Sequence, residues 1–407
     1  MKIAVFHNLP SGGAKRALYG TIDYLVHKGH SVEAYLPSTA NEDFLPLTEL
    51  LDEVHQYQVK NTMGGWLYST FKYVPPFVKT ISLSDLEATQ RDIAGIINDS
   101  DHDVVLCEQD QYTLSPFFLK YIKKPTVYYC QQPTRDEAIL KKLEKMVENQ
   151  PNKLKGAVFN YSDKRDLNID MENAQHAKYI LANSYFSRES ILKGYGLNSY
   201  VSYLGIDTNI FKRENLPVED HVLSVGTITP TKGYDFLIES LSLVKPELRP
   251  KLIIAANHSI PEWKNYVVEL ARQLDVNLEI MDMVDDEKLV ELYNTSKLVL
   301  YAPYLEPFGL VPIEAMGCGT PVIGVKEGGV RETVLENQTG ILVERDPQKF
   351  ADAITQTLNN QTKLYDMGRN GMKEVERFWT LEHAGERIEK HLENAIKTHE
   401  PNQNPGE

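Results

Sequence analysis

Residues 298–325 read LVLYAPYLEPFGLVPIEAMGCGTPVIGV. Leu298 to Tyr301 and Val322 to Val325 are short apolar runs of strand type. Gly309 lets the loop between them approach a ligand closely, and Pro312 suits the first turn of a helix. A strand, a loop, a helix and a second strand in this order make a βαβ unit, the building block of a parallel sheet. The loop that begins at Ala302 therefore lies at a carboxyl end of that sheet, where open α/β folds bind their ligands.

The same alternation extends outward from this stretch. Strands are predicted at Val222 to Val225, Lys251 to Ala255 and Leu278 to Met281, with helices at Tyr234 to Leu243, Trp263 to Leu274, Phe350 to Leu358 and Leu381 to Thr398. Toward the N-terminus, Lys2 to Phe6, Ser31 to Leu36, Asp103 to Cys107, Thr126 to Tyr129 and Tyr179 to Ala182 read as buried strands. Ser11-Gly12-Gly13 is a turn, and Ala14 to Lys28 is helical. Asn61 to Pro76, with Met63-Gly64-Gly65-Trp66, reads as a mobile loop. The chain turns polar from Lys212 to Asp220, as an interdomain linker does. The sequence thus predicts an α/β protein of two doubly wound Rossmann-like domains facing each other across a cleft. These are residues 1–205, a linker at 206–220, a second domain at 221–378, a helix at 379–398 expected to cross back to the first domain, and a disordered tail at 399–407.

Composition narrows the function. The chain has 407 residues, enough for two cores, and its 43 Lys+Arg against 57 Asp+Glu leave a formal charge of −14. Nucleic-acid backbone binding needs a surplus of cations, so a nucleic-acid partner is not expected. The basic run Lys120 to Lys124 reads as a solvated helix end before Pro125, with peripheral contact to an anionic membrane or substrate left open. Cys107, Cys130 and Cys318 are too few and too scattered for a disulfide framework or a zinc site. Polar His7 and Asn8 follow Met1 to Phe6 too soon for a signal peptide, and no run approaches the about 20 apolar residues of a membrane span. A cytoplasmic protein is expected, with a peripheral place at the inner face of the membrane left open.

The chemistry concentrates in Glu306 to Pro321. The N–H groups of Leu310 and Val311 would sit at the positive end of a helix dipole, a ready phosphate site. Glu314 is placed in the first turn, where a carboxylate suits sugar hydroxyls better than phosphate, as with the acid that holds ribose in dinucleotide folds. Glu306 precedes the helix and can face the cleft separately. A plainer reading has both acids favouring the helix dipole and Gly317 and Gly319 acting as caps. The D-x-D spacing in Asp99 to Asp103 reads as capping before a strand, not as a metal site. His7, His30 and His102 read as isolated turn or surface residues.

The whole segment resembles the nucleotide-sugar end of family-4 retaining glycosyltransferases (glycosyl transferases group 1, GT-B fold), whose hallmark is E-P-F-G-x-x-x-x-E-A-M-A-x-G-x-P-V. Glu306 and Glu314 carry that spacing, and Pro307, Phe308, Gly309, Ala315, Met316, Gly319, Pro321 and Val322 fill the pattern. Gly328 to Val334 and Thr339 to Val343 are similar to its continuation. Val225-Gly226 with Pro230 and Lys232-Gly233 resembles its phosphate-binding strand and loop. Gly12-Gly13, Gly29 to Val32, Asn183-Ser184 and Gly205 to Asp207 match weaker signposts.

The resemblance implies a retaining glycosyltransferase that needs neither metal nor cofactor and uses a nucleoside diphosphate sugar, UDP- or GDP-linked, with an acceptor the sequence does not identify. It implies that Glu306 contacts the transferred sugar, Glu314 the ribose, and the backbone from Phe308 to Val311 the sugar and diphosphate. Lys232 would neutralise the leaving diphosphate, and Gly12 and Gly13 would approach the donor from the N-terminal domain. Gln131, Arg135 and Trp66 would shape the acceptor side. Two positions depart from the family. Thr227 stands where an arginine is common, and Gln131, in Tyr128-Tyr129-Cys130-Gln131-Gln132-Pro133-Thr134-Arg135, where a histidine is common. A glutamine hydrogen-bonds a hydroxyl but cannot take a proton at neutral pH. A catalytically silent sugar-nucleotide-binding paralogue, and another GT-B enzyme such as a disaccharide synthase or phosphorylase, are the alternative readings.

Overall fold

The computed structural model describes residues 1–60, 81–133 and 164–399. They divide into two units, one formed by 1–60, 81–133, 164–203 and 384–399 and the other by 204–383.

In the first unit the apolar runs become β1 (Lys2–Asn8), β2 (Ser31–Pro37), β3 (Val54–Tyr57), β4 (Val104–Asp110), β5 (Thr126–Cys130), β6 (Tyr179–Ala182) and β7 (Tyr200–Val201). They pair in the order β3-β2-β1-β4-β5-β6-β7, all parallel. Among the described residues the crossover helices are α1 (Gly13–His27), α2 (Leu83–Asp99), α3 (Phe118–Tyr121), α4 (Lys164–Ala174) and α5 (Tyr185–Tyr195). Local signals set the helix ends. Ser82 Oγ accepts from Asp85 N–H at 3.3 Å and Ser184 Oγ from Ser187 N–H at 2.9 Å, and α5 stops at Gly196 in the left-handed region (φ 70°). The core is built on Phe6, stacked on Phe118 at 4.2 Å, with Ile93, Ile97, Val105 and Tyr128 around it.

The second unit repeats the plan with β8 (His221–Val225), β9 (Lys251–Ala256), β10 (Leu278–Asp282), β11 (Leu298–Tyr301), β12 (Val322–Val325) and β13 (Gly340–Val343), in the parallel order β10-β9-β8-β11-β12-β13. Its helices are α6 (Tyr234–Ser242), α7 (Pro261–Gln273), α8 (Asp286–Thr295), α9 (Leu310–Gly317), α10 (Val330–Thr333), α11 (Pro347–Leu358) and α12 (Gln361–Phe378). Proline opens α7 and α11, where a missing N–H costs nothing, and Asp346 caps α11 by accepting from Lys349 N–H at 2.9 Å. Val222, Leu237, Leu252, Ile254, Leu300, Ile323 and Phe350 fill its core.

The last helix, α13 (Leu381–Thr398), belongs to the first unit from Ala384 onward. Gly385 lies against the Tyr24 ring, where a Cβ would overlap it. Glu389 accepts from Tyr24 Oη at 2.9 Å and meets His30 Nε2 at 2.8 Å, while Tyr179 Oη bonds His391 at 2.8 Å. Among the described residues no helix is long and apolar enough to cross a membrane.

Two strands run two or more residues past the apolar stretch that predicts them. β1 continues through His7 and Asn8, and β4 through Glu108, Gln109 and Asp110, all of which are buried. In each sheet the strand order reverses, between β1 and β4 and between β8 and β11, which is where such a sheet opens a ligand crevice beyond the strands' carboxyl ends. The buried polar residues of unit one therefore collect at its switch point.

Candidate functional site

In the second unit, β8 hands over to a loop whose glycines are dictated by close approach. Gly226 O accepts from Tyr234 Oη at 2.8 Å. Thr227 follows, and a single turn at Pro230–Lys232 ends at Gly233 (φ 69°), where a Cβ would overlap the Ala302 carbonyl. Tyr304 N–H donates to Thr231 O at 2.8 Å, so the loops after β8 and β11 are joined through their backbones. On the other side, Gly329 N–H donates to Glu306 O at 2.8 Å, and a Cβ at Gly328 or Gly329 would overlap backbone of Glu306 or Pro307. Behind this, the Arg345 guanidinium donates to Ala302 O (2.9 Å) and Pro303 O (2.8 Å), pairs with both oxygens of Glu327, and lies 3.6 Å over the Tyr304 ring.

This frame brings Lys232 and Glu306 together, with Nζ 2.9 Å from Oε2. Both side chains are about a fifth exposed, at 23% and 21%, so the pair stays open to a ligand. Phe308 is buried against Trp379 with ring centroids 5.7 Å apart. Gly309 (φ 105°) is the N-cap of α9, and Leu310 and Val311 open the helix with N–H groups that have no acceptor one turn back. Glu314 is not in the first turn as the sequence suggested. It is the fifth residue of α9, 6% exposed, and its Oε2 accepts from Tyr293 Oη at 2.7 Å. Burial raises the Tyr293 hydroxyl well above its ordinary pKa, which keeps it a donor.

In the first unit, Gly12 (φ 137°) is the N-cap of α1 and Gly13 its first residue, with open space where a Gly12 Cβ would stand. The loop before them hangs on a buried cluster that sequence reading missed. Leu9 N–H donates to His7 Nδ1 at 3.2 Å, and His7 Nε2 lies 3.2 Å from Glu42 Oε1, which is also paired with buried Lys15. His7 is fully buried and burial lowers its pKa to about 4, so it is a neutral imidazole and not a surface residue. His102 is buried too, beside Ser100 Oγ at 2.6 Å.

Gln131 follows β5, and its Nε2 donates to both oxygens of Glu108 at 3.1 and 3.0 Å. Its backbone carbonyl accepts from Asn183 Nδ2 at 3.0 Å. Two residues on from Glu108, Asp110 accepts from Asn8, Gln90 and the backbone of Tyr112 and Thr113. The signal for Glu108 and Asp110 was present in the run that closes β4, where acids continue an apolar strand. Trp66 and Arg135 lie outside the described residues. Asp101 pairs with Lys2, and Asp103 accepts from Lys2 N–H at 2.7 Å.

Comparison with known proteins adds a family match over part of the chain. Residues 206–374 match the model of glycosyl transferases group 1. Among curated proteins, the chain is 30% identical over 226 residues to D-inositol 3-phosphate glycosyltransferase 2 of Catenulispora acidiphila, covering 50% of this chain and 53% of that protein. It is 25% identical over 324 residues to the human alpha-1,3/1,6-mannosyltransferase ALG2, covering 72% and 74%. The chain thus spans about half the length of the first of these relatives. Among solved structures, Anabaena Alr3699/HepE in complex with UDP and glucose matches with a TM-score of 0.72 at 18% identity, covering 97% of this chain and 99% of that one. The sucrose-phosphate synthase of Thermosynechococcus elongatus matches with the same TM-score at 17% identity, covering 97% and 99%. At such identities the structures speak for the fold, two Rossmann-like α/β domains of the GT-B type. The loop, turn and helix that hold Lys232, Glu306 and Glu314 all fall within 206–374, the part of the chain that matches the model of glycosyl transferases group 1.

Proposed function

We propose that this chain transfers a sugar from a UDP- or GDP-linked donor to an acceptor hydroxyl with retention of configuration. The observation that carries the reading is the Lys232–Glu306 pair at 2.9 Å, set between Gly233 and the amino end of α9. A cation, a carboxylate and unbonded helix N–H groups in one place match the three parts of a nucleotide sugar. Lys232 and the N–H groups of Leu310 and Val311 take the diphosphate, Glu306 the sugar hydroxyls, and buried Glu314 the ribose. Gln131 hydrogen-bonds a sugar hydroxyl.

In the reaction the anomeric C–O bond to phosphate breaks while the acceptor oxygen attacks from the same face. The acceptor's proton passes to the departing phosphate oxygen, so no protein base is needed. The charge that builds on that oxygen is met by Lys232 and the helix terminus, fixed in advance by the backbone clamps around Glu306. The relatives and neighbours support the class: a D-inositol 3-phosphate glycosyltransferase and an alpha-1,3/1,6-mannosyltransferase among the first, and complexes of HepE with UDP and with UDP-glucose among the second.

Melting the protein with UDP, GDP and ADP tests the donor. A nucleotide at 100 times its dissociation constant adds about 2.7 kcal/mol of stability. A metal is dispensable in this scheme because Lys232 and α9 do the work of a cation. Turnover should survive chelation, and activity that vanishes in chelator and returns with magnesium or manganese would refute that part. Glu314→Ala removes a contact made equally in ground and transition states, so it should weaken donor binding by about ten- to a hundredfold, or roughly 1.5–3 kcal/mol, with little change in turnover. An unchanged Michaelis constant for donor would remove Glu314 from the site.

A further inference from the structure

Gln131 is held by one neighbour in a way that matters for its chemistry. Its Nε2 sits between the two oxygens of Glu108, at 3.1 and 3.0 Å, and both residues are at most 2% exposed. An amide nitrogen bonded to both oxygens suits a carboxylate, which only accepts. That arrangement turns the other end of the amide, Oε1, away from Glu108, and among the described residues no side chain or backbone donor occupies it. Should Glu108 take up a proton, one of its oxygens becomes a donor facing a donor. The amide then has to turn over, so that Oε1 accepts from Glu108 and Nε2 points outward.

We propose that Glu108 is a positioning residue that decides which atom of the Gln131 amide is offered to a ligand hydroxyl, an acceptor when Glu108 is ionised and a donor when it is protonated. The inference rests on the reading of Gln131 as a sugar-contacting residue, and goes beyond it by assigning the residue behind it. No proton is transferred to the ligand; the one lost from Glu108 goes to solvent.

The surroundings place this exchange within reach of ordinary buffers. Burial pushes the Glu108 carboxyl up to about 8, opposed by the hydrogen bonds from Gln131 and from the Gln109 backbone. The other titratable groups around it are Cys107 and Asp110 on β4 and Tyr129 and Cys130 on β5; burial drives all four upward, which leaves the two thiols and the phenol neutral. On β1, His7 is engaged with Glu42 and Lys15. No opposing charge from these elements pairs with Glu108 among the described residues.

The test uses the full chain labelled with 15N in its glutamine side chains, with the Gln131 resonance assigned by its loss in Gln131→Ala. The Gln131 Nε2 signal should move with a midpoint near pH 8, and Glu108→Gln, which keeps the shape but cannot titrate, should abolish the movement. Stability carries the same signature. The unfolded carboxyl titrates near 4.5 and the folded one near 8, so the folded state holds an extra proton between these values. That contribution is complete below pH 4.5 and is lost as pH rises through 8, and Glu108→Gln should flatten the slope. The pH profile of UDP-sugar or GDP-sugar consumption should step near pH 8 in the wild type and lose the step in Glu108→Gln. A Gln131 signal that stays put from pH 6.5 to 9.5, or that moves alike in both proteins, overturns the proposal. If UDP and GDP leave the melting temperature unchanged, the donor reading fails instead, while the Gln131 titration still decides the role of Glu108.

Discussion

Lys232→Ala is expected to slow single-turnover transfer at saturating donor by about a hundred- to a thousandfold, or roughly 2.7–4 kcal/mol, the range seen when one preorganised donor to a developing oxyanion is removed. The cause is timing. In the proposed reaction Lys232 is worth most when the anomeric bond is breaking and negative charge has gathered on the diphosphate, so the loss should fall on turnover more than on donor binding. Thr227 stands on the loop after β8 where the family commonly has arginine, which leaves Lys232 as the main side-chain cation of that loop. The substitution also takes away the partner 2.9 Å from Glu306, and since Glu306 is 21% exposed, water meets part of that loss. Thr227→Arg should restore some rate to the variant. Wild-type rates in Lys232→Ala with a dead Gln131→Ala would mean that the leaving group is stabilised elsewhere.

Arg345→Ala should produce the largest loss of stability, about 3–5 kcal/mol, as expected when one member of a buried ion pair is deleted. Its guanidinium donates to two backbone carbonyls of the loop after β11, pairs with both oxygens of Glu327 at 3.0 and 2.9 Å, and covers Tyr304. The two side chains are only 12% and 17% exposed, so water does not replace these bonds in place. Arg345→Lys should recover little, because an ammonium lacks the planar fork that reaches two carbonyls and a carboxylate together. Urea denaturation of the three proteins checks this. A change below about 1 kcal/mol for Arg345→Ala would show that the Ala302–Glu306 loop is held by its backbone bonds alone.

Much of the fold was legible because burial leaves a simple mark. Tyr179–Ala182, Leu298–Tyr301, Val322–Val325 and Leu381–Thr398 have the predicted ends, since each is an uninterrupted apolar run or a clean helical period. Val54–Tyr57 was passed over because His55 and Gln56 sit in a partly exposed edge strand, and Tyr200–Val201 because two residues carry no period. The place of the Glu306 to Glu314 segment, a loop after β11 that runs into α9, could be read directly, because its glycine and proline positions lie at fixed spacing within one short stretch. Its supports could not. Arg345 serves Ala302 and Glu327, Tyr293 serves Glu314, and Glu108 serves Gln131, each a polar partner chosen by a tertiary contact with no fixed spacing in the chain. The buried His7–Glu42–Lys15 cluster was hidden for the same reason, because its members come from β1, the stretch after β2, and α1.

The proposed activity requires that the second unit bind a nucleotide sugar and that the chain break its anomeric bond. Incubating the protein with UDP- and GDP-linked sugars, without acceptor, and following nucleoside diphosphate release measures this directly, because many transferases pass sugar slowly to water. Release from one donor, lost in Lys232→Ala while that donor still raises the melting temperature of the variant, is the predicted result. Binding with no release by the wild type, with or without a panel of acceptors, would identify a sugar-nucleotide-binding protein without turnover, and an absence of both binding and release would contradict the account altogether.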